Sequence, residues 1–225
     1  MLPGVAGSGA PVRLDFLDPG GAATGRLLPS GHATDRLDVP GLGSVEVSMV
    51  DAANLCVFVA AADLGLAGTE LPEALERDTA ALERARAIGA TAVMALGMAG
   101  DVDAARRKLP LIGLVSAPTD APKLAGQTIA ADTSDLCIRM LSSGQPHRAL
   151  PATGAVCTAV AMGLPATVVH RLARPPVDQA ARRLAMPSGV ITIDATVALR
   201  DGVPYAESGT LYRTARRLFG GSVYF

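Results

Sequence analysis

The sequence predicts an α+β fold in which strands wrap around one buried helix, and three observations carry that reading. The opening third alternates apolar and polar residues between turn-forming clusters, as short strands do. The segment TGAVCTAVAMGL, residues 153–164, is helical in composition and apolar on every side, and a helix with no polar face belongs at the centre of a fold. The closing forty or so residues return to strand and turn.

Taken in order, PVRLDFLDPGG alternates at Val12, Leu14 and Phe16 before Asp18-Pro19-Gly20 turns the chain. Breakers crowd residues 23–43. SVEVSMVDA then alternates at Val45, Val47 and Met49, and LCVFVAA is a solid apolar run suited to a buried strand, so an antiparallel sheet with tight connections is expected. Thr69 with Pro72 and Glu73 reads as a capped helix start, followed by Leu71, Leu75, Ala81, Leu82, Ala85 and Ile88 at near-helical spacing. Asp101–Lys108 reads as a short helix. Pro110 leads into the strand LIGLVSA, and KLAGQTIAAD reads as a further strand. Ser134–Met140 is expected as a helix ending near Gly144. SGVITIDATVAL, the turn Asp201-Gly202, and ESGTLYRTARRLF close the chain as strands. No internal repeat and no low-complexity linker interrupts it.

Composition narrows the function. With 225 residues and 49% apolar content, the chain can bury a real core. No apolar run reaches the roughly 18 to 20 residues of a membrane helix, and the first residues lack the basic start and apolar stretch of a secretion signal. Cys56, Cys137 and Cys157 are odd in number and share no metal-type spacing, which favours reduced thiols in the cytoplasm and no metal. Twenty Lys plus Arg against twenty-one Asp plus Glu, with three Tyr and four Phe, is not a nucleic-acid footprint. ALGMAGDVDAA lacks the glycine pattern and terminal Lys-Ser or Lys-Thr of a phosphate loop.

Chemistry concentrates in SSGQPHRALPATGAVCTAV, residues 142–160, a polar approach to the start of the most apolar helix. The first N–H groups of a helix lack internal partners and carry about half a positive charge. Thr153 can cap with its hydroxyl, Gly154 leaves the backbone open, and a carboxylate fits there. His147 and Arg148 just upstream offer a proton carrier and a bidentate anion clamp. The competing reading is that Thr153 only caps and Arg148 is solvated. Asn54, in DAANLCVFV, reads as a turn residue or a binding residue, and Ser188-Gly189 as a turn or a second pair of N–H donors. His32, His170, Arg182-Arg183 and Arg216-Arg217 read as turn, helix-end and solvated-face residues.

These stretches carry a resemblance. APVRLDFLDPGGAATGRLLPSG (10–31), VDAANLCVFVAAADLGLAGTEL (50–71), QPHRALPATGAVCTAVA (145–161), PSGVITI (187–193) and RTARRLFGGSV (213–223) together resemble the PrpF-like group. That group comprises methylaconitate cis–trans isomerases and oxalomesaconate tautomerases, within the diaminopimelate epimerase-like superfamily. The resemblance implies two pseudo-symmetric halves, each aiming a helix N-terminus at a small unsaturated di- or tricarboxylate, and proton transfer with no cofactor. It makes Thr153, Gly154, Asn54, Arg148, Ser188 and Gly189 substrate contacts, and His147 the local acid or base. Where epimerase relatives place a catalytic cysteine, two residues before the Thr-Gly pair, this chain has Pro151, and Cys157 reads as an inert packing group. Nothing matches the Gly-Asn-Cys-Gly-Asn-like turn of the aconitate-type isomerases. The resemblance therefore implies that part of the first half is missing, with residues 1–205 a carboxyl-terminal domain and 206–225 a strand segment returning to the absent one. Expected partners are the polycarboxylate and either a second copy or an N-terminal-half chain, with no membrane and no nucleic acid. The alternative function is a non-catalytic carboxylate-binding or structural half-protein.

Overall fold

The computed structural model describes residues 7, 9–176, 181–215 and 220–222. Twelve strands run in chain order as β1 (Ala10–Leu17), β2 (Asp35–Val39), β3 (Gly43–Asp51), β4 (Leu55–Ala60), β5 (Leu111–Ser116), β6 (Ala121–Pro122), β7 (Thr128–Ile129), β8 (Leu136–Ser142), β9 (Gln145–Pro146), β10 (Arg182–Met186), β11 (Gly189–Arg200) and β12 (Val203–Ala215). The helices are α1 (Pro72–Arg77), α2 (Thr79–Ala95), α3 (Val102–Arg107), α4 (Ala152–Gly163) and α5 (Val168–Leu172). Ten strands form one mixed sheet in the order β1-β12-β11-β10-β8-β5-β4-β3-β2, with β9 pairing β8 to one side.

Two crossovers explain the layering. β4 and β5 are parallel neighbours, so the chain between them returns through α1, α2 and α3 on one face. β8 and β10 are also parallel, joined through α4 and α5 on the opposite face. The α4 face packs Val50, Phe58, Leu136, Ile138, Met140 and Ile193 around Ala155, Cys157 and Val160. The α2 face packs Val47, Met49, Val57, Ile112 and Leu114 against Leu82, Ala85 and Ile88. As the composition of residues 153–164 predicts, α4 is buried continuously from Gly154 to Met162.

Four expectations are corrected. Ser134–Met140 is not a helix: residues 136–142 form β8, in the middle of the sheet. Its alternate residues face α4 and the opposite layer, and because both faces are covered the run shows no polar period by which strand and helix could be told apart. KLAGQTIAAD contributes only the two-residue β7, paired with β6. Thr69 does not cap: α1 starts at Pro72 behind Leu71, and Asp78 ends it and caps α2 through Ala81 N–H at 2.9 Å. The opening strands are not one meander, since β2-β3-β4 are antiparallel neighbours while β1 pairs β12 at the far edge. The Asp201-Gly202 turn falls between β11 and β12 as expected, and β12 crosses the 205/206 boundary as a single strand. Arg216 and Arg217 lie outside the described residues.

The sheet centre has no slack. A Cβ placed on Gly113 of β5 would sit 2.5 Å from Cδ1 of the buried Phe58 on β4. Gly113→Ala is expected to lower the unfolding free energy by about 2 kcal/mol through overpacking, measurable by urea denaturation.

Candidate active site at the start of the central helix

Strand direction decides where the candidate residues meet. β3 ends, β4 begins and β5 begins at one end of the sheet, because Asp51 pairs Leu55 and Cys56 pairs Leu111. β8 runs antiparallel to β5 and ends there, with Leu141 opposite Ile112. β10 is parallel to β8 and runs towards the same end, but its last residue, Met186, lies level with Ile138, short of the end of β8. Asn54, the β8–α4 connection carrying His147 and Arg148, and the first turn of α4 therefore share one sheet end, with the Pro187-Ser188 turn between β10 and β11 set back from it. Side chains tie them. Asn54 Nδ2 donates to Thr153 Oγ1 at 3.3 Å, across 99 residues of sequence. Leu150 N–H points at Met186 Sδ at 3.3 Å. A Cβ on Gly154 would lie 3.1 Å from Met140 Cε and 3.2 Å from Leu111 Cδ1, so α4 begins directly over β5 and β8.

The first turn of α4 is uncapped. Pro151 is the N-cap, with φ −55° and ψ 144°, and has no side-chain acceptor. Its carbonyl takes the Ala155 N–H at 2.9 Å. The N–H groups of Ala152, Thr153 and Gly154 have no protein acceptor among the described residues. This corrects the expectation that Thr153 caps. Thr153 is the second helical residue, and its hydroxyl oxygen instead accepts from Asn54. The dipole of a buried twelve-residue helix thus ends at three unspent donors beside half-exposed Asn54 and Thr153. An anion is the chemical complement of that arrangement.

His147 is half-buried, and its Nε2 is sealed from solvent with no hydrogen-bond partner among the described residues. Its backbone N–H donates to the Met140 carbonyl at 2.8 Å, which holds the residue against the end of β8. Burial pulls the imidazole pKa below its ordinary value, so the ring is neutral at pH 7. The folded protein then binds this proton more weakly than the unfolded chain does. The stability contributed by the neutral ring is present above about pH 6.5 and is lost as the pH falls towards the depressed value. His147→Gln is expected to flatten the acid limb of the stability–pH curve below about pH 6.5, measured by denaturant unfolding at each pH.

The remaining candidates divide. Ser188 sits in the hairpin turn with a buried Oγ that has no partner among the described residues. Gly189 adopts φ 137°, which favours glycine, and its place opposite Met186 opens β11. Arg148 is exposed and its guanidinium donates to Glu73 Oε1 at 2.7 Å, so the expected anion clamp is instead the α4-side partner of α1. Cys157 donates to the Val50 carbonyl at 3.3 Å inside the core. Burial, with Cys157 beside it, pushes the Cys56 thiol well up. Both are packing groups, as expected of Cys157.

Asp51 escaped the sequence reading. It is fully buried, and its Oδ2 accepts from Ala23 N–H at 2.8 Å, Thr24 N–H at 2.7 Å and Thr24 Oγ1 at 2.8 Å, while Oδ1 has no partner. Its backbone also takes the Gly21 N–H and donates to the Leu27 carbonyl. The glycine-rich stretch from Gly20 to Leu27 is thereby laced to the turn presenting Asn54, where Ala53 is held at φ 60° and donates to the Pro19 carbonyl at 2.7 Å. The available signal was an acid closing an apolar strand, SVEVSMVD, at the level of a glycine-rich turn.

A family model described as PrpF protein matches residues 1–225. This chain belongs to the PrpF family. Among curated relatives it is 36% identical to 3-methylitaconate isomerase of Eubacterium barkeri over 99% of this chain and 58% of the relative. It is 33% identical to 2-methyl-aconitate isomerase of Shewanella oneidensis over 99% of this chain and 57% of the relative. A crystal structure of methylitaconate-delta-isomerase superposes with a TM-score of 0.89 at 35% identity, covering 99% of this chain and 57% of that one. The PrpF-family chain thus spans somewhat more than half the length of the relatives it matches, and its α+β fold is that of the methylitaconate-delta-isomerase structure. Among the described residues no helix is long and apolar enough to cross a membrane.

Proposed function

We propose that this chain carries a carboxylate-binding half-site for cofactor-independent isomerisation of a small unsaturated di- or tricarboxylate, of the methylaconitate or oxalomesaconate kind. The single observation that carries the reading is the uncapped first turn of α4, with three free amides beside Asn54. A carboxylate there accepts from Ala152, Thr153 and Gly154 N–H, and Asn54 turns its amide towards the same group. Ser188 Oγ and the Gly189 backbone supply further contacts from the β10–β11 turn. Arg148, held by Glu73, stands outside this set. Removing a proton next to a carbonyl builds enolate-like charge, and preorganised N–H groups facing such charge are usually the largest catalytic contribution, about 3 kcal/mol per donor. His147, neutral at pH 7, is the local group able to take a proton, and with Nε2 sealed from solvent that proton would enter at Nδ1. The names of the relatives, isomerases of methylitaconate and methylaconitate, support this substrate class.

A second reading has its own observation. Pro151 occupies the position at which epimerase relatives place a base, and the chain spans 57% of the solved relative. The chain then binds the acid, and a counterpart supplies the base, on a partner chain or on further sequence. One experiment separates the two. The chain is incubated with 2-methylaconitate or 3-methylitaconate in D2O, and loss of substrate C–H signal is followed by NMR. Exchange abolished by His147→Gln supports local proton transfer. Saturable binding without exchange supports the half-site reading, and absence of binding contradicts both.

A further inference from the structure

Among the described residues, Asp51 is the one side chain outside the loop that hydrogen-bonds to residues 19–27. Burying a carboxyl group is costly unless donors meet its oxygens. All the donors to Asp51 come from Ala23 and Thr24. Its neighbours Val50 and Ala52 are apolar and equally buried, so the end of β3 has no need of an acid for its own packing.

The loop that Asp51 holds sets the shape of the turn before Asn54. Ala53 lies in the left-handed region at φ 60°, which a residue with a side chain adopts rarely and keeps only where its surroundings hold it. That hold comes from the loop: Ala53 N–H donates to the Pro19 carbonyl at 2.7 Å, and Ala52 pairs Gly20 in an isolated bridge. Gly25 N–H donates to the Gly21 carbonyl at 2.9 Å, closing residues 21–25 into one tight turn, so that a grip on residues 23 and 24 also steadies residues 19–21. One residue beyond Ala53, Asn54 Nδ2 reaches Thr153 Oγ1 at 3.3 Å. On the reading of α4 as a carboxylate-binding site, we propose that Asp51 is a positioning residue for it. Its carboxyl group fastens the loop, the loop fixes the turn at Ala53, and the turn aims the Asn54 amide at the start of α4.

A double-mutant cycle read by calorimetric titration with tricarballylate tests this role. Asp51→Ala frees the Ala23 and Thr24 N–H groups, which are exposed and half-buried and so find water, leaving the core packing in place. Asp51→Ala and Asn54→Ala should each weaken binding about 10-fold, the loss of one hydrogen bond to a charged group. The double variant should be no weaker than Asn54→Ala to within about 2-fold, because Asp51 acts through Asn54. Thr24→Val removes one of the three donors, should cost about 3-fold, and carries the test if Asp51→Ala does not fold. The nuclear Overhauser contact between the Asn54 side-chain amide and the Thr153 methyl should weaken in Asp51→Ala and Thr24→Val without any ligand. Additive losses of about 100-fold in the double variant overturn the proposal, as does an Asn54–Thr153 contact unchanged by both substitutions. If the unsubstituted chain binds no tricarballylate, the α4 reading fails, and the Asn54–Thr153 contact alone decides whether Asp51 positions Asn54.

Discussion

Arg139→Met is expected to lower the unfolding free energy by about 3 kcal/mol, the largest stability loss of any single substitution considered for this chain. Arg139 lies in the middle of β8 with 1% of its surface exposed. Among the described residues it has no carboxylate partner within hydrogen-bonding distance. Its guanidinium instead donates to four backbone carbonyls: Glu70 at 2.6 Å, Thr69 at 2.8 Å, Ile138 at 2.9 Å and Ala185 at 3.3 Å. These reach the loop before α1 and the neighbouring β10, so one side chain fastens a crossover connection to the sheet. Desolvation pulls its pKa down to about 10, still far enough above neutrality to keep it charged. Methionine fills similar volume and recovers the desolvation cost, but leaves those carbonyls without donors. Hydrogen bonds to a charged donor contribute about 1.5–3 kcal/mol each, so several lost together outweigh the recovered solvation. Arg139→Lys should rescue little, because one ammonium cannot span two elements as the planar fork does. Urea denaturation measures both, and a change below about 0.5 kcal/mol in Arg139→Met would sink the argument.

Asn54→Asp is expected to weaken tricarboxylate binding about 30-fold while leaving the fold as stable or slightly more so. The substitution is nearly isosteric and places a carboxylate 3.3 Å from Thr153 Oγ1, at the start of α4. The three free amides and the helix dipole favour that negative charge, by about 0.3–1 kcal/mol. The same charge occupies the electrostatic niche a substrate carboxylate needs. Two unit charges about 4 Å apart near a protein surface repel by roughly 4 kcal/mol before solvent screening. Half-exposure of Asn54 reduces this to about 2 kcal/mol, or roughly 30-fold. Stability and affinity moving in opposite directions distinguish competition at the helix start from general damage. Thermal denaturation and calorimetry with tricarballylate read the two quantities separately.

How much was legible in the sequence follows from how far apart the interacting residues lie. The central helix could be read because its twelve residues carry their own signal, apolar on all sides. β8 could not be read, since a strand covered on both faces looks like any buried apolar run. The candidate region was placed at residues 142–160, and the start of its helix was misread by two positions. Threonine is the better cap by propensity, yet the chain enters the helix at Pro151, whose fixed φ suits the entry and which offers no acceptor. The pairing of Arg148 with Glu73 could not be read, because the two lie 75 residues apart. Asp51 was missed for the same reason, as its donors lie 27 and 28 residues earlier and meet it only once β3 is paired. Long-range partners decide which polar residues are spent and which remain free, and only the fold reveals them.

The unspent amides of α4 can be watched directly. In a ¹⁵N–¹H spectrum of the labelled 22.8 kDa chain, titration with tricarballylate should move the Thr153 and Gly154 backbone resonances, with one midpoint shared by the Asn54 side-chain amide. Resonances at 153 and 154 that stay fixed while the ligand binds elsewhere, or that do not respond at any concentration, would contradict the account.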